Sequence, residues 1–207
     1  MKHLSETQGL DKLSRIRSEF RDGIREKFEH RARPCSACSS PGICCRDEHF
    51  VNVHITRLEA VDIVRRLDEL DEPVLGAIYD RVSRSVARYG LDLPGDSFLK
   101  TYACPLFEAG TGCLVHNTAK PLPCITHACY DKSEDLPPDD LLADRELAIA
   151  ALNRRIYGSE PVQSPLPLAI TRLIEGRPGR SDPRAEPPAE NSHREQRAEK
   201  HDVIPER

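Results

Sequence analysis

Eight cysteines lie between residues 35 and 129 of this 207-residue chain, and none lies elsewhere. The first group is Cys35-Ser-Ala-Cys38 followed by Cys44-Cys45; the second is Cys104, Cys113, Cys124 and Cys129. The spacing of Cys35 and Cys38 lets both sulfurs turn onto one ion, as in zinc knuckles and iron–sulfur loops. Adjacent cysteines usually point apart, so one of Cys44 and Cys45 is expected to ligate while the other packs or serves a second metal. His116 and His127 stand within three residues of cysteines and are candidate imidazole ligands. The candidate metal set is therefore Cys35, Cys38, Cys44, Cys45, Cys104, Cys113, Cys124 and Cys129, with His116 and His127. His49 and His54 read as ordinary histidines. Buried inert thiols are the competing explanation, but scattered core cysteines would not segregate into one stretch of chain.

Soft sulfur suits both zinc and iron–sulfur clusters, so ligand chemistry alone leaves the metal open. Four thiolates around Zn²⁺ make a closed structural site, whereas four around a cubane make a redox or Lewis-acid centre. Seven or eight thiols can also hold two ions. A catalytic thiol needs one activated cysteine with a base, but here every cysteine has others near it, and no Asp or Ser partner pattern accompanies the histidines. A thioredoxin-like reading is weak as well, because Cys35 follows a charged helix and Pro34 rather than the strand of a βαβ unit.

The order of these pieces resembles the YkgJ-type zinc- or iron-chelating family. The residues that carry the resemblance are Cys35 to Cys38, Cys44-Cys45, Glu59-Ala60, Cys104-Pro105-Leu106, Cys113 and Pro121-Leu122-Pro123-Cys124, covering roughly residues 35–130. The chain departs from the family pattern in the longer gap between Cys38 and Cys44, in His116 where Tyr is frequent, and in Lys120 where Arg is common. The resemblance implies metal chelation and a distant similarity to flagellin lysine N-methylases, thought to carry an iron–sulfur cluster. Neither a Gly-rich loop after a clear strand nor the cysteine spacing of radical adenosylmethionine enzymes is present, so enzyme status stays open.

The elements that must position these residues follow from periodicity. Leu10, Leu13, Ile16, Phe20, Ile24 and Phe28 recur at helical steps, predicting one long amphipathic helix within residues 1–33. Its apolar stripe is expected to cover the domain; a protein partner is the other use for it. Val51, Val53 and Ile55 alternate as in a short strand, and Thr56 with Glu59 has capping-box spacing for the helix that follows. Pro73 opens a further helix closed by Gly90. Residues 90–135 read mainly as loop, which metal ligation would order. Asp139 or Asp140 is expected to cap a helix ending at Gly158, and Pro165 a last one ending at Gly176. The expected fold is mainly α with a short strand element: an irregular, metal-stabilised cysteine domain over residues 34–130, flanked by helices at 1–33 and 131–175.

Residues 176–207 hold seven Lys/Arg, seven Asp/Glu and five prolines, the composition of a disordered charged tail. The N-terminal residues lack an apolar secretory segment and no run approaches a membrane span, so a soluble cytoplasmic protein is expected, in which thiols serve metals more often than disulfides. Residues 34–130 carry nine Lys/Arg against twelve Asp/Glu, which leaves no basic footprint for nucleic acid. Three functions remain: a metal-cluster protein with a redox or transferase role, a zinc-stabilised interaction module, and an iron-handling or metal-storage binder.

Overall fold

Ser5 accepts from the amide of Gln8, whose side chain accepts from the Ser5 amide, and this reciprocal cap opens helix α1 (Glu6–Lys27). The computed structural model describes residues 3–159 and 162–177. The predicted stripe of α1 is buried at Leu10, Leu13, Phe20 and Ile24. It packs against α3 (Arg57–Leu67), the short α5 (Leu122–Thr126) and α6 (Asp139–Tyr157), so the chain itself covers the stripe. The helix ends earlier than expected. After Lys27 the chain turns and Ala32–Arg33 form strand β1, not the end of a helix reaching Pro34.

Thr56 and Glu59 close a second capping box at the start of α3, as their spacing predicts. Between α1 and α3 lies the short α2 (Ile43–Arg46). After α3, Pro73 occupies the first turn of α4 (Glu72–Tyr89), and Gly90 ends that helix in the left-handed region at φ 58°. Helix α6 starts after Pro138 rather than on an Asp cap and stops at Gly158; α7 (Leu166–Glu175) follows Pro165 and stops at Gly176.

The strand expected over residues 50–55 shrinks to β2 (His54–Ile55), paired antiparallel with β6 (Ser164–Pro165). Before it, the Val51 and Val53 carbonyls accept from the amides of Tyr102 (3.0 Å) and Leu166 (2.9 Å), while the Val53 amide donates to the buried Tyr102 hydroxyl (3.2 Å) instead of a strand partner. The other strand pairs are β1 with β5 (Cys129–Tyr130), and β3 (Phe107–Glu108) with β4 (Gly112–Cys113).

Helix α3 is the wall between two apolar cores. Its Ile63, Val64 and Leu67 join α4, α7, Tyr102, Leu106 and Val115 on one side, while Leu58 joins α1, α5 and α6 on the other. Across the wall, Arg17 of α1 meets Asp62 of α3 at 2.5 Å with almost no exposure of the guanidinium. Removing either partner would strand a buried charge, a loss of about 3–5 kcal/mol. The architecture is mainly α, and the cysteine segments belong to one compact unit spanning Met1–Arg177. From residue 178 onward, the charged tail expected at 176–207 lies outside the described residues. Among those residues no helix is long and apolar enough to cross a membrane.

Candidate metal centre

Four pieces of irregular backbone bring the thiols to one place. The first is the hook at α2, which carries Cys44 and Cys45. Gly42 caps it at φ 78°, and a Cβ there would stand 2.0 Å from the Phe107 ring, so only glycine permits both the turn and the approach. The second is the segment of Tyr102 and Cys104, laid beside the hook by hydrogen bonds from the Tyr102 amide to the Val51 carbonyl (3.0 Å) and from the Cys104 amide to the Cys45 carbonyl (2.7 Å). The third is the β3–β4 hairpin, which sets Cys113 opposite Phe107. The fourth is α5, begun after Pro121, which carries Cys124. At the outer edge, β5 sets Cys129 opposite Arg33, shortly before Cys35 in the chain.

Together these pieces surround a cavity of about 630 Å³. Its wall includes Cys35, Cys44, Cys45, Cys104, Cys113, Cys124 and Cys129, together with His116 and His127. Phe50, Val51, Leu106, Phe107 and Val115 supply apolar surface, and no carboxylate is among the described residues that line it. Among the described residues, Lys120 is the one Lys or Arg on the wall. Cys38 is half-buried and stands outside the lining, as does exposed His49. His54 is also elsewhere: it is buried, stacks on Phe98 at 4.1 Å between ring centroids, and has its Nε2 3.1 Å from Ser97 Oγ.

Burial dominates the electrostatics of the inner thiols. It pushes Cys45 up to about 12, helped by Cys44 and Cys113 and opposed by Lys120. Burial likewise pushes Cys124 up to about 12 against the pull of Lys120, with Cys113 and Cys45 adding to the rise. Cys104 is raised further by burial and by Cys124, although the Leu106 amide donates to its sulfur. Cys113 is raised by burial, and the Val115 amide donates to its sulfur in the same way. In both cases the donor is the amide two residues beyond the cysteine, which is the kind of outer hydrogen bond that tunes a metal-bound thiolate. Burial, then Lys120, holds His116 and His127 below the ordinary imidazole range, which favours the neutral form that ligates metals.

The structure thus gathers seven of the eight predicted cysteines and both predicted histidines around one space. Among the described residues, no three His, Cys, Asp or Glu side chains are already drawn together as a shell for one ion. The sulfurs differ in exposure: Cys35 and Cys129 are exposed, whereas Cys44, Cys45, Cys104, Cys113 and Cys124 are partly buried. Sequence reasoning overlooked Gly42, Phe107 and Tyr102, whose importance lies in contacts far along the chain. It noted Lys120 only as a departure from a family pattern. No protein-family model, curated protein or solved structure matches the chain.

Proposed function

We propose that this protein binds a soft metal, zinc or iron, through Cys45, Cys104, Cys113 and Cys124, with Cys44, His116 and His127 as further donors. The observation that carries the reading is the wall itself: thiols from four separated segments and two imidazoles line one cavity, with no carboxylate among the described residues of its lining. That donor set disfavours Mg²⁺ and Ca²⁺, which take oxygen ligands, and suits zinc, copper(I) or iron–sulfur clusters. The amides of Leu106 and Val115, already aimed at the Cys104 and Cys113 sulfurs, fit thiolates better than thiols because hydrogen bonds to a charged acceptor are stronger.

The size of the space favours an open centre over a closed structural knot. A four-thiolate zinc knot is filled by its own ligands, whereas about 630 Å³ leaves room for a cluster or for exchange of ligands. The metal would supply Lewis acidity, or electron transfer if it is an iron–sulfur cluster. The chain's own residues would surround it with apolar surface from Phe107 and Leu106 and offset negative charge through Lys120.

Elemental analysis of anaerobically purified protein tests the proposal, with about one equivalent or more of zinc plus iron per chain expected for a thiolate site. A brown colour bleached by dithionite identifies the iron–sulfur form; a colourless zinc protein moves weight toward the interaction module. Protein with no bound metal and eight freely titratable thiols would overturn the reading.

A further inference from the structure

We propose that Cys35 and Cys129 form a landing site at the mouth of the thiol cavity, where a soft divalent cation is caught and then passed inward to the buried thiols. This rests on the metal-centre reading and adds a route to it. The two sulfurs differ from the others in their position. Both line the cavity and both are exposed, so they stand at its lip, whereas Cys45, Cys104, Cys113 and Cys124 lie deeper. The lip has a definite frame: β1 pairs with β5 in the register Ala32 to Tyr130 and Arg33 to Cys129, and Arg33 is ion-paired to Asp131 at 2.7 Å.

A hydrated cation must shed water to reach the partly buried sulfurs of the interior. The exposed thiols at the lip meet the hydrated cation first, and a pair of them can replace part of its hydration shell. His127, also on the wall, offers an imidazole nitrogen as a further donor. In the transfer step, the bond from the cation to a lip thiolate breaks as a bond to an inner sulfur forms. The inner thiol gives its proton to the released lip thiolate or to water. No electrons change hands, and the cavity has space for outgoing and incoming ligands at once.

Mixing the full-length protein as isolated with Cd²⁺ tests the route, following the rise of ultraviolet cadmium–thiolate absorption and then the cadmium retained after desalting. The Cys35→Ser/Cys129→Ser variant is expected to retain as much cadmium as the unaltered protein but to take it up about tenfold more slowly, a loss typical of supporting ligands. Cys104→Ser/Cys124→Ser is expected to lose the retained cadmium. Equal uptake rates would overturn the landing site, and so would a lower final content in the lip variant, which would make Cys35 and Cys129 permanent ligands. If the unaltered protein holds no metal as isolated and retains no cadmium, the metal-centre reading itself fails and the landing site with it.

Discussion

The backbone amide of Cys104 donates to the carbonyl of Cys45 at 2.7 Å, joining the two cysteine groups through main chain rather than through sulfur. The juxtaposition therefore does not wait for a metal to create it. It also makes the ligand assignment testable, because thiols on the cavity wall and thiols off it lie in the same short groups. Cys104→Ser and Cys124→Ser are each expected to weaken metal retention at least about tenfold, because each removes a donor of the kind a soft ion selects. Cys38→Ser, outside the lining, should keep the metal. Chelator competition on the purified variants provides the comparison, and an equal loss in all of them would erase the distinction.

Gly42 meets the Phe107 ring where a side chain would begin, and its φ of 78° is costly for other residues. Gly42→Ala is expected to destabilise the fold by about 1–3 kcal/mol through strain and overpacking. Gly23→Ala is the opposite case, a helix position of α1 with nothing within 4 Å of the added Cβ. It should stabilise by about 0.5–1 kcal/mol. Denaturant midpoints at constant slope measure both, and a neutral Gly42→Ala would show that the hook shifts freely.

Glu59 is buried behind the cavity, and burial raises its carboxyl above the ordinary 4.5 despite opposing hydrogen bonds from Thr56 and the charge of Arg17. Above 4.5 the unfolded chain has released this proton while the folded chain still holds it. The folded state therefore binds more protons, and stability contributed by the neutral form is lost as pH rises toward and through the raised folded value. Glu59→Gln keeps a capping side chain without the titration. Thermal melts across mildly acidic to neutral pH should show a flatter dependence for the variant; parallel curves would show that Glu59 is not the source.

Lys120 opposes the burial penalty at Cys45, Cys113 and Cys124 alike, from the cavity wall. A thiolate-rich centre carries net negative charge, so Lys120→Met should lower metal affinity by about tenfold, or 1.4 kcal/mol. Lys120→Arg should keep most of it because the charge is retained. If the protein is an iron–sulfur protein, Lys120→Met should also move the midpoint potential to more negative values, since adding an electron becomes harder without the ammonium. Unchanged affinity in both variants would reduce Lys120 to an ordinary wall residue.

The helical frame was legible because its signals are local: the Thr56–Glu59 cap, the α1 stripe, the Pro and Gly boundaries of α4 and the Gly ends of α6 and α7 each act within a few turns of chain. The cysteine groups were legible as a constellation for a similar reason, since thiol spacing restricts which sulfurs can share a neighbourhood. Local patterns do not carry partners distant in sequence, so they overextended α1 past Lys27, where the chain pairs with β5, and the strand before Ile55, where Tyr102 bonds the backbone of Val51 and Val53 through its amide and hydroxyl. They also could not separate Cys35 and Cys129 at the lip from the thiols beneath, or put Cys38 off the wall. Exposure is a property of the whole packed chain. Residue types and spacing determined that soft donors would gather; the packing of Tyr102, Gly42 and α5 decided which sulfurs meet water and which meet one another.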